Sequence, residues 1–241
     1  MVLNSGLLSC FLLFISHSVF AIESLRTKVN VVLEEQNLVG ASWAIIDGLE
    51  THTDAVGLFN ADDNTLLLGI HKVQVGSITK TLMAAGTLSL VTEELLSLNT
   101  PITEILPELP FDTPWQKFNP ILVHHLLDHT SGLHNLRLRH LLNSTATPNS
   151  ELDEIFSNDP DLLQVFPPPG EYFSYSNLGY NILAMVIERV TGERYETLLQ
   201  QQLMLPLGMP NSSFNYIAQT GDYADPLLAF GHLDNRQSIN N

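Results

Sequence analysis

The sequence predicts an α+β fold, and three features point to it. The chain opens on a helix, a strand, a turn and a second strand rather than a repeating βαβ unit; it then changes to helices and loops; and at 241 residues with 44% hydrophobic content it can bury a sizeable core.

Ile22, Leu25, Val29, Val32 and Leu33 recur at helical spacing, and Gly40 is expected to close that amphipathic helix. Ala41 to Ile46, with Trp43, Ile45 and Ile46, reads as a strand, Asp47-Gly48 as a turn, and Thr51 to Phe59 as a second strand. Asn60 to Asn64 is another turn, and Thr65 to Val75 an extended approach to Ser77. From Ser77 to about Thr92 runs a helix whose only charged side chain is Lys80. Its apolar residues, Ile78, Leu82, Met83, Leu88, Leu90 and Val91 among them, spread around the cylinder, which predicts burial on most sides. Asn99-Thr100-Pro101 caps a short helix, and prolines 107, 110, 114 and 120 keep the chain irregular until a helix over Ile121 to Asp128 that Gly132 terminates. Leu133 to Pro169 is loop-rich, with helical pieces around Glu151 to Phe156 and Asp161 to Val165. Leu178, Ile182, Leu183, Val186, Ile187 and Val190 trace one face of a helix from Asn177 to Gly192, and another covers Tyr195 to Leu203. No regular structure is predicted after about Gly231. The expected organisation is residues 22–76 as helix and strands, 77–215 as a mainly helical part and 216–241 as an irregular tail, together one domain.

Residues 1–21 read as an export signal. Leu7 to Ile15 is an apolar block too short to span a bilayer, and Val19-Phe20-Ala21 offers small residues for cleavage after Ala21. The mature protein is therefore expected in the periplasm or outside the cell. The single cysteine, Cys10, lies in that segment, so neither a disulfide nor a thiol nucleophile is expected in the mature chain. The formal net charge of −16 resides wholly beyond Ala21 and would repel a phosphate backbone or an anionic membrane, so nucleic acid is not an expected partner. No stable membrane span and a monomeric state are expected.

Two stretches carry candidate chemistry. Ser77 and Lys80 are three apart, one above the other on a helix, so the Lys80 amine can reach the Ser77 hydroxyl. Burial disfavours the ammonium and leaves an amine able to take a serine proton, which makes an activated nucleophile. At the helix start, free backbone N–H groups favour a developing oxyanion. A plain N-cap is the competing reading of Ser77. The second stretch, Tyr175-Ser176-Asn177, follows Pro167-Pro168-Pro169-Gly170; Tyr175 offers a proton-relaying phenol and Asn177 an amide for Lys80 or a substrate carbonyl, unless Asn177 only caps the next helix. His124, His125, Asp128 and His129 crowd together near His134 and His140, but a metallo-β-lactamase pattern would need a histidine where Leu126 stands. Neither metal nor cofactor is expected, and these histidines are read as facing solvent or bonding local carbonyls.

In order along the chain, Val75-Gly76-Ser77-Ile78-Thr79-Lys80-Thr81, His125-Leu126-Leu127-Asp128-His129-Thr130-Ser131-Gly132-Leu133, Pro169-Gly170, Tyr175-Ser176-Asn177, Leu207-Gly208-Met209 and Ala229-Phe230-Gly231-His232 resemble the serine β-lactamase and penicillin-binding-protein superfamily, in its class C β-lactamase, esterase and D-peptidase branch. The resemblance covers about residues 25 to 235. It implies a β-lactamase/transpeptidase-like fold, and acyl-enzyme formation on a β-lactam, a D-alanyl peptide or an ester. It makes Ser77 the nucleophile, Lys80 its proton acceptor, Tyr175 the relay for deacylation and Asn177 a contact to substrate and lysine. The substrate would be a small molecule or derived from peptidoglycan.

One family motif is missing. No Lys or His followed by a small residue and Gly occurs after Asn177: no lysine follows Lys117, and His232 precedes Leu233 and Asp234. In the family that motif lies on a strand that supplies an oxyanion N–H and neighbours the Ala41 to Ile46 strand. The sequence thus resembles the N-terminal part of a longer enzyme, with an incomplete antiparallel sheet. Losing one oxyanion donor costs about 10²- to 10³-fold in rate, so little turnover is expected of the chain ending at Asn241. The alternative is a non-catalytic penicillin-recognising or cell-wall-binding protein.

Overall fold

A computed structural model describes residues 23–137, 140, 147–233 and 236–239; the expected export signal lies outside them. The described residues form two compact units, one of residues up to Gln74 with those from Ile217 onward, the other Val75–Tyr216.

In the first unit, helix α1 covers residues 23–35. Its stop is Asn37 rather than Gly40: Asn37 takes a positive φ of 52°, and the Leu38 N–H closes back onto the Leu33 carbonyl at 2.9 Å. Asparagine tolerates this left-handed conformation, which gives the helix its C-terminal cap before the strand begins. Strand β1 (Gly40–Asp47) pairs antiparallel with β2 (Glu50–Asn60) from Gly40↔Gly57 to Asp47↔Glu50, and β3 (Thr65–Leu66) adds to the far side of β2.

The residues expected to form an irregular tail instead fold onto this unit. Lys72 forms a parallel bridge with Leu228, and its ammonium meets Asp225 Oδ2 at 2.6 Å, which holds the Asp225 carboxyl below its usual pKa. Phe230 packs edge-on to Phe59, with ring centroids 5.7 Å apart. Two short strands follow, β4 (Gly231–His232) and β5 (Ser238–Ile239), where no regular structure is expected from sequence. A two-residue strand carries no readable alternation, so pairing decides it. His232 accepts the Ala61 N–H at 3.1 Å on its Nε2, a role within this unit.

The second unit is helical. A 3₁₀ turn over Gly76–Ile78 feeds directly into α2 (Thr79–Thr92). Short helices α3 (Ile102–Ile105), α4 (Val123–Leu127) and α5 (Glu154–Asn158) follow, then a 3₁₀ turn Pro160–Leu163. The long helix α6 (Asn177–Thr191) ends at Gly192, and α7 (Tyr195–Leu199) continues into a π turn, Gln200–Met204. Helix α6 is the centre of the core: Leu178, Ile182, Leu183, Val186 and Ile187 are fully buried against α2, α3, α4 and α7.

Helix α2 is less buried than its sequence suggests. It buries Met83, Gly86, Thr87 and Leu90, whereas Leu88 is 45% exposed and Ile78, just before it, 64%. Gly86 stands where Leu199 comes close: a Cβ added there would lie 2.1 Å from Leu199 Cδ2. That mid-helix glycine exchanges helix propensity for close approach of α7.

Candidate active site

The loop before α6 and the loop after α4 are joined by hydrogen bonds at almost every step. The Trp115 indole N–H reaches the Phe166 carbonyl at 3.2 Å, and the Asn119 amide donates to the Pro169 carbonyl at 2.7 Å, fixing the ends of the proline run. Gly170 N–H donates to Thr130 O and Ser174 N–H to His129 O, both at 2.8 Å. Ser176 N–H donates to His129 Nδ1 at 3.2 Å, and Ser176 Oγ to His134 O at 2.9 Å. Ser176 also caps α6 by accepting the Gly179 N–H. The cap is thus Ser176, which leaves Asn177 at the first helical position with its side chain committed elsewhere.

Asn177 Oδ1 accepts from Lys80 Nζ at 2.6 Å, Lys80 Nζ donates to Ser77 Oγ at 3.3 Å, and the Tyr175 hydroxyl donates to Ser77 Oγ at 2.7 Å. All four residues singled out from sequence therefore meet around one hydroxyl, within one compact unit. Ser77 is exposed, as a nucleophile must be, and sits in the 3₁₀ turn among the first backbone donors of the helix. Lys80 is half-buried rather than enclosed, with its ammonium hydrogens pointed at Asn177 and Ser77. Lys80 also lies 5.0 Å from the Tyr175 ring centroid and 5.5 Å from that of Tyr180, within cation–π range of both.

The electrostatic consequence falls on Tyr175. Hydrogen bonding by Lys80, then by Ser77, lowers its phenol below the usual pKa, against a smaller opposing effect of burial. Tyr180 moves the other way, raised by burial and by the neighbouring Tyr175, and its hydroxyl is spent on the Leu127 carbonyl at 3.1 Å.

The histidines are structural in their observed contacts. Among the described residues, no three His, Cys, Asp or Glu side chains converge to hold a metal ion. His124 Nδ1 meets Leu98 O at 3.0 Å, His125 Nδ1 accepts Leu122 N–H at 3.1 Å, and His140 Nε2 lies 3.0 Å from Asp159 Oδ2. His129 is the one that sequence reasoning undervalued. Its ring packs on Tyr175 with centroids 4.4 Å apart, while its Nδ1 and carbonyl hold the backbone on either side of that residue. Its φ of 62° is a strain that the hydrogen-bonded loop must support.

His125 and His129 are both lowered from the ordinary histidine pKa, chiefly by burial, His125 further by His124 and His129 by Lys80. For His125, 6% exposed, the ring must stay neutral at Nδ1 to accept from Leu122. A folded-state pKa below the unfolded value near 6.5 gives stability that is full above that value and is lost as pH falls through the folded one. Melting temperature is therefore expected to fall from pH 7 to pH 5, with one histidine contributing at most about 1.4 kcal/mol per pH unit. His125→Gln keeps an acceptor for Leu122 and should flatten the dependence; an unchanged slope would remove His125 as its source.

The sequence model named Beta-lactamase matches residues 25–222. The chain belongs to the Beta-lactamase family. It is thus a member of the serine β-lactamase and penicillin-binding-protein superfamily, a group of serine hydrolases, and its fold is the α+β fold of that superfamily. Protein flp of Staphylococcus aureus (strain NCTC 8325 / PS 47) is 25% identical over 196 residues, which cover 80% of this chain and 38% of flp. The octameric penicillin-binding protein homologue from Pyrococcus abyssi superposes with a TM-score of 0.73 at 24% identity, over 91% of this chain and 50% of that one. D-amino acid amidase from Ochrobactrum anthropi SV3, solved with L-phenylalanine amide, gives a TM-score of 0.65 at 26% identity, over 87% of this chain and 58% of the amidase. The chain therefore spans well under half of flp and about half of the solved neighbours.

Proposed function

We propose that this chain carries the acylating half of a serine hydrolase site, with Ser77 attacking the carbonyl of a β-lactam, a D-alanyl peptide or an ester. The observation that carries this is the convergence of Tyr175 and Lys80 on Ser77 Oγ, with Asn177 holding Lys80. In the phenolate form favoured by Lys80, Tyr175 accepts the Ser77 proton across the 2.7 Å contact as Oγ bonds to the carbonyl carbon. The resulting phenol returns that proton to the departing nitrogen or oxygen, leaving an acyl-serine and a free phenolate. Water then attacks the acyl carbon, giving its proton to Tyr175, and the proton passes back to Ser77 as the ester breaks. This division of labour makes Tyr175 the base and Lys80 the hydrogen-bonding partner that lowers its pKa, which suits a half-buried lysine whose polar contacts are donated ones. The Ser77 N–H at the helix start supplies one oxyanion donor. Export to the periplasm or beyond is part of the same proposal and rests on residues 1–21.

A second reading is a penicillin-recognising protein that is acylated without turnover. One experiment separates the two. The protein is incubated with a fluorophosphonate probe and, separately, with nitrocefin and p-nitrophenyl esters; the adduct is mapped by peptide mass and hydrolysis is followed by absorbance. A Ser77 adduct with hydrolysis supports the hydrolase, and a Ser77 adduct without hydrolysis supports the binder. No adduct, or one at Ser131 or Ser176, which are both buried, would refute the site.

A further inference from the structure

The polarity of the Asn177 amide decides whether the site works. Lys80 offers only donors, so Asn177 must present Oδ1 to it; the amide turned over would face Nδ2 hydrogens to a cation. The two orientations have the same shape, so packing cannot choose between them and the hydrogen-bond partner on the other edge must.

That partner is Asn135, in the loop after α4. Asn135 Oδ1 accepts from Asn177 Nδ2 at 3.0 Å and also from the Asn177 backbone N–H and the Leu136 N–H, both at 2.9 Å. The two backbone donors cannot reverse, and they fix Oδ1 as the edge that Asn135 turns toward Asn177. Its acceptor then fixes Nδ2 of Asn177 on its own side and Oδ1 on the Lys80 side, 2.6 Å from Nζ. We infer that Asn135 is a positioning residue that sets the orientation of Asn177 and, through it, of Lys80 beside Ser77 and Tyr175.

The inference rests on the hydrolase reading for its kinetic consequence, though not for its structural one. Asn135→Leu keeps the volume and removes the acceptor; Asn135→Asp keeps an oxygen for all three donors. With both variants confirmed folded by circular dichroism and thermal melting, acylation by the fluorophosphonate probe is expected to slow about tenfold in Asn135→Leu, the equivalent of one hydrogen bond, and to recover in Asn135→Asp. The second readout needs no activity. The Tyr175 phenol is titrated by ¹³C-tyrosine NMR, assigned by difference from Tyr175→Phe; in Asn135→Leu it should move up toward an ordinary phenol as Lys80 loses its anchor, and it should do so less in Asn135→Asp. An unmoved titration in Asn135→Leu, or equal loss of labelling in both variants, would overturn the inference. If the parent protein takes up no probe, the hydrolase reading fails while the Tyr175 titration still decides the role of Asn135.

Discussion

Replacing Ser77 with alanine is expected to abolish covalent labelling, and Tyr175→Phe to slow acylation of the intact nucleophile by about 10²- to 10⁴-fold. The first removes the oxygen on which both Tyr175 and Lys80 converge. The second removes the group lying 2.7 Å from that oxygen while keeping the ring that packs on His129, so the loop should stay in place. The pH dependence of kcat/KM tells which residue is the base, because it reports ionisations of the free enzyme. If Tyr175 takes the proton, activity rises through the Tyr175 pKa, which Lys80 holds down. Lys80→Met would let that pKa return toward about 10, shifting the acid limb to higher pH and lowering the rate at neutrality. If the Lys80 amine is the base, Lys80→Met would instead erase the limb, and Tyr175→Phe would leave it where it was. Labelling that survives Ser77→Ala would discard the mechanism altogether.

What could be read from the sequence followed from local periodicity. Ser77 and Lys80 are one helical turn apart whatever surrounds them, and Tyr175 and Asn177 sit at a helix start announced by the apolar stripe from Leu178 to Val190. That these two pairs meet is a long-range fact, and sequence alone reached it through family resemblance rather than through spacing. Residues whose importance is wholly long-range stayed hidden. Asn135 matters only because Asn177 lies against it, 42 positions on, and His129 because Ser176 and Tyr175 do; in sequence both are polar residues flanking a Ser-Gly turn. The burial of α2 differs from what its sequence predicts for a related reason. An uncharged run looks buried on all sides, yet Ile78 and Leu88 are exposed while the buried face is set by Gly86 meeting Leu199. The order of the tail is not legible in sequence because Lys72, Asp225, Phe59 and Phe230 make their pairings across more than 150 residues, beyond the reach of any window.

A large loss of stability is expected from Gly170→Ala, a change of one methyl group between two loops. Gly170 has a φ of 86°, and a Cβ on it would fall 2.9 Å from His125 Nε2. Two costs therefore add: about 1–2 kcal/mol for an L residue held in left-handed backbone, and about 1–3 kcal/mol for forcing a methyl against a buried ring that its own bond to Leu122 holds still. A total near 3 kcal/mol would lower the melting temperature by about 6–12 °C for a chain of this size. The damage should also reach the site, because the Gly170 N–H is what ties the proline approach to Thr130, next to the residue that packs on Tyr175. The two costs can be separated. In a His125→Ala background the ring is gone, so Gly170→Ala should cost only the backbone part there, and Gly170→Asn in the parent should cost less in backbone strain but retain the clash. Equal losses for Gly170→Ala with and without the His125 ring would show that His125 does not limit this position and that backbone conformation alone demands glycine.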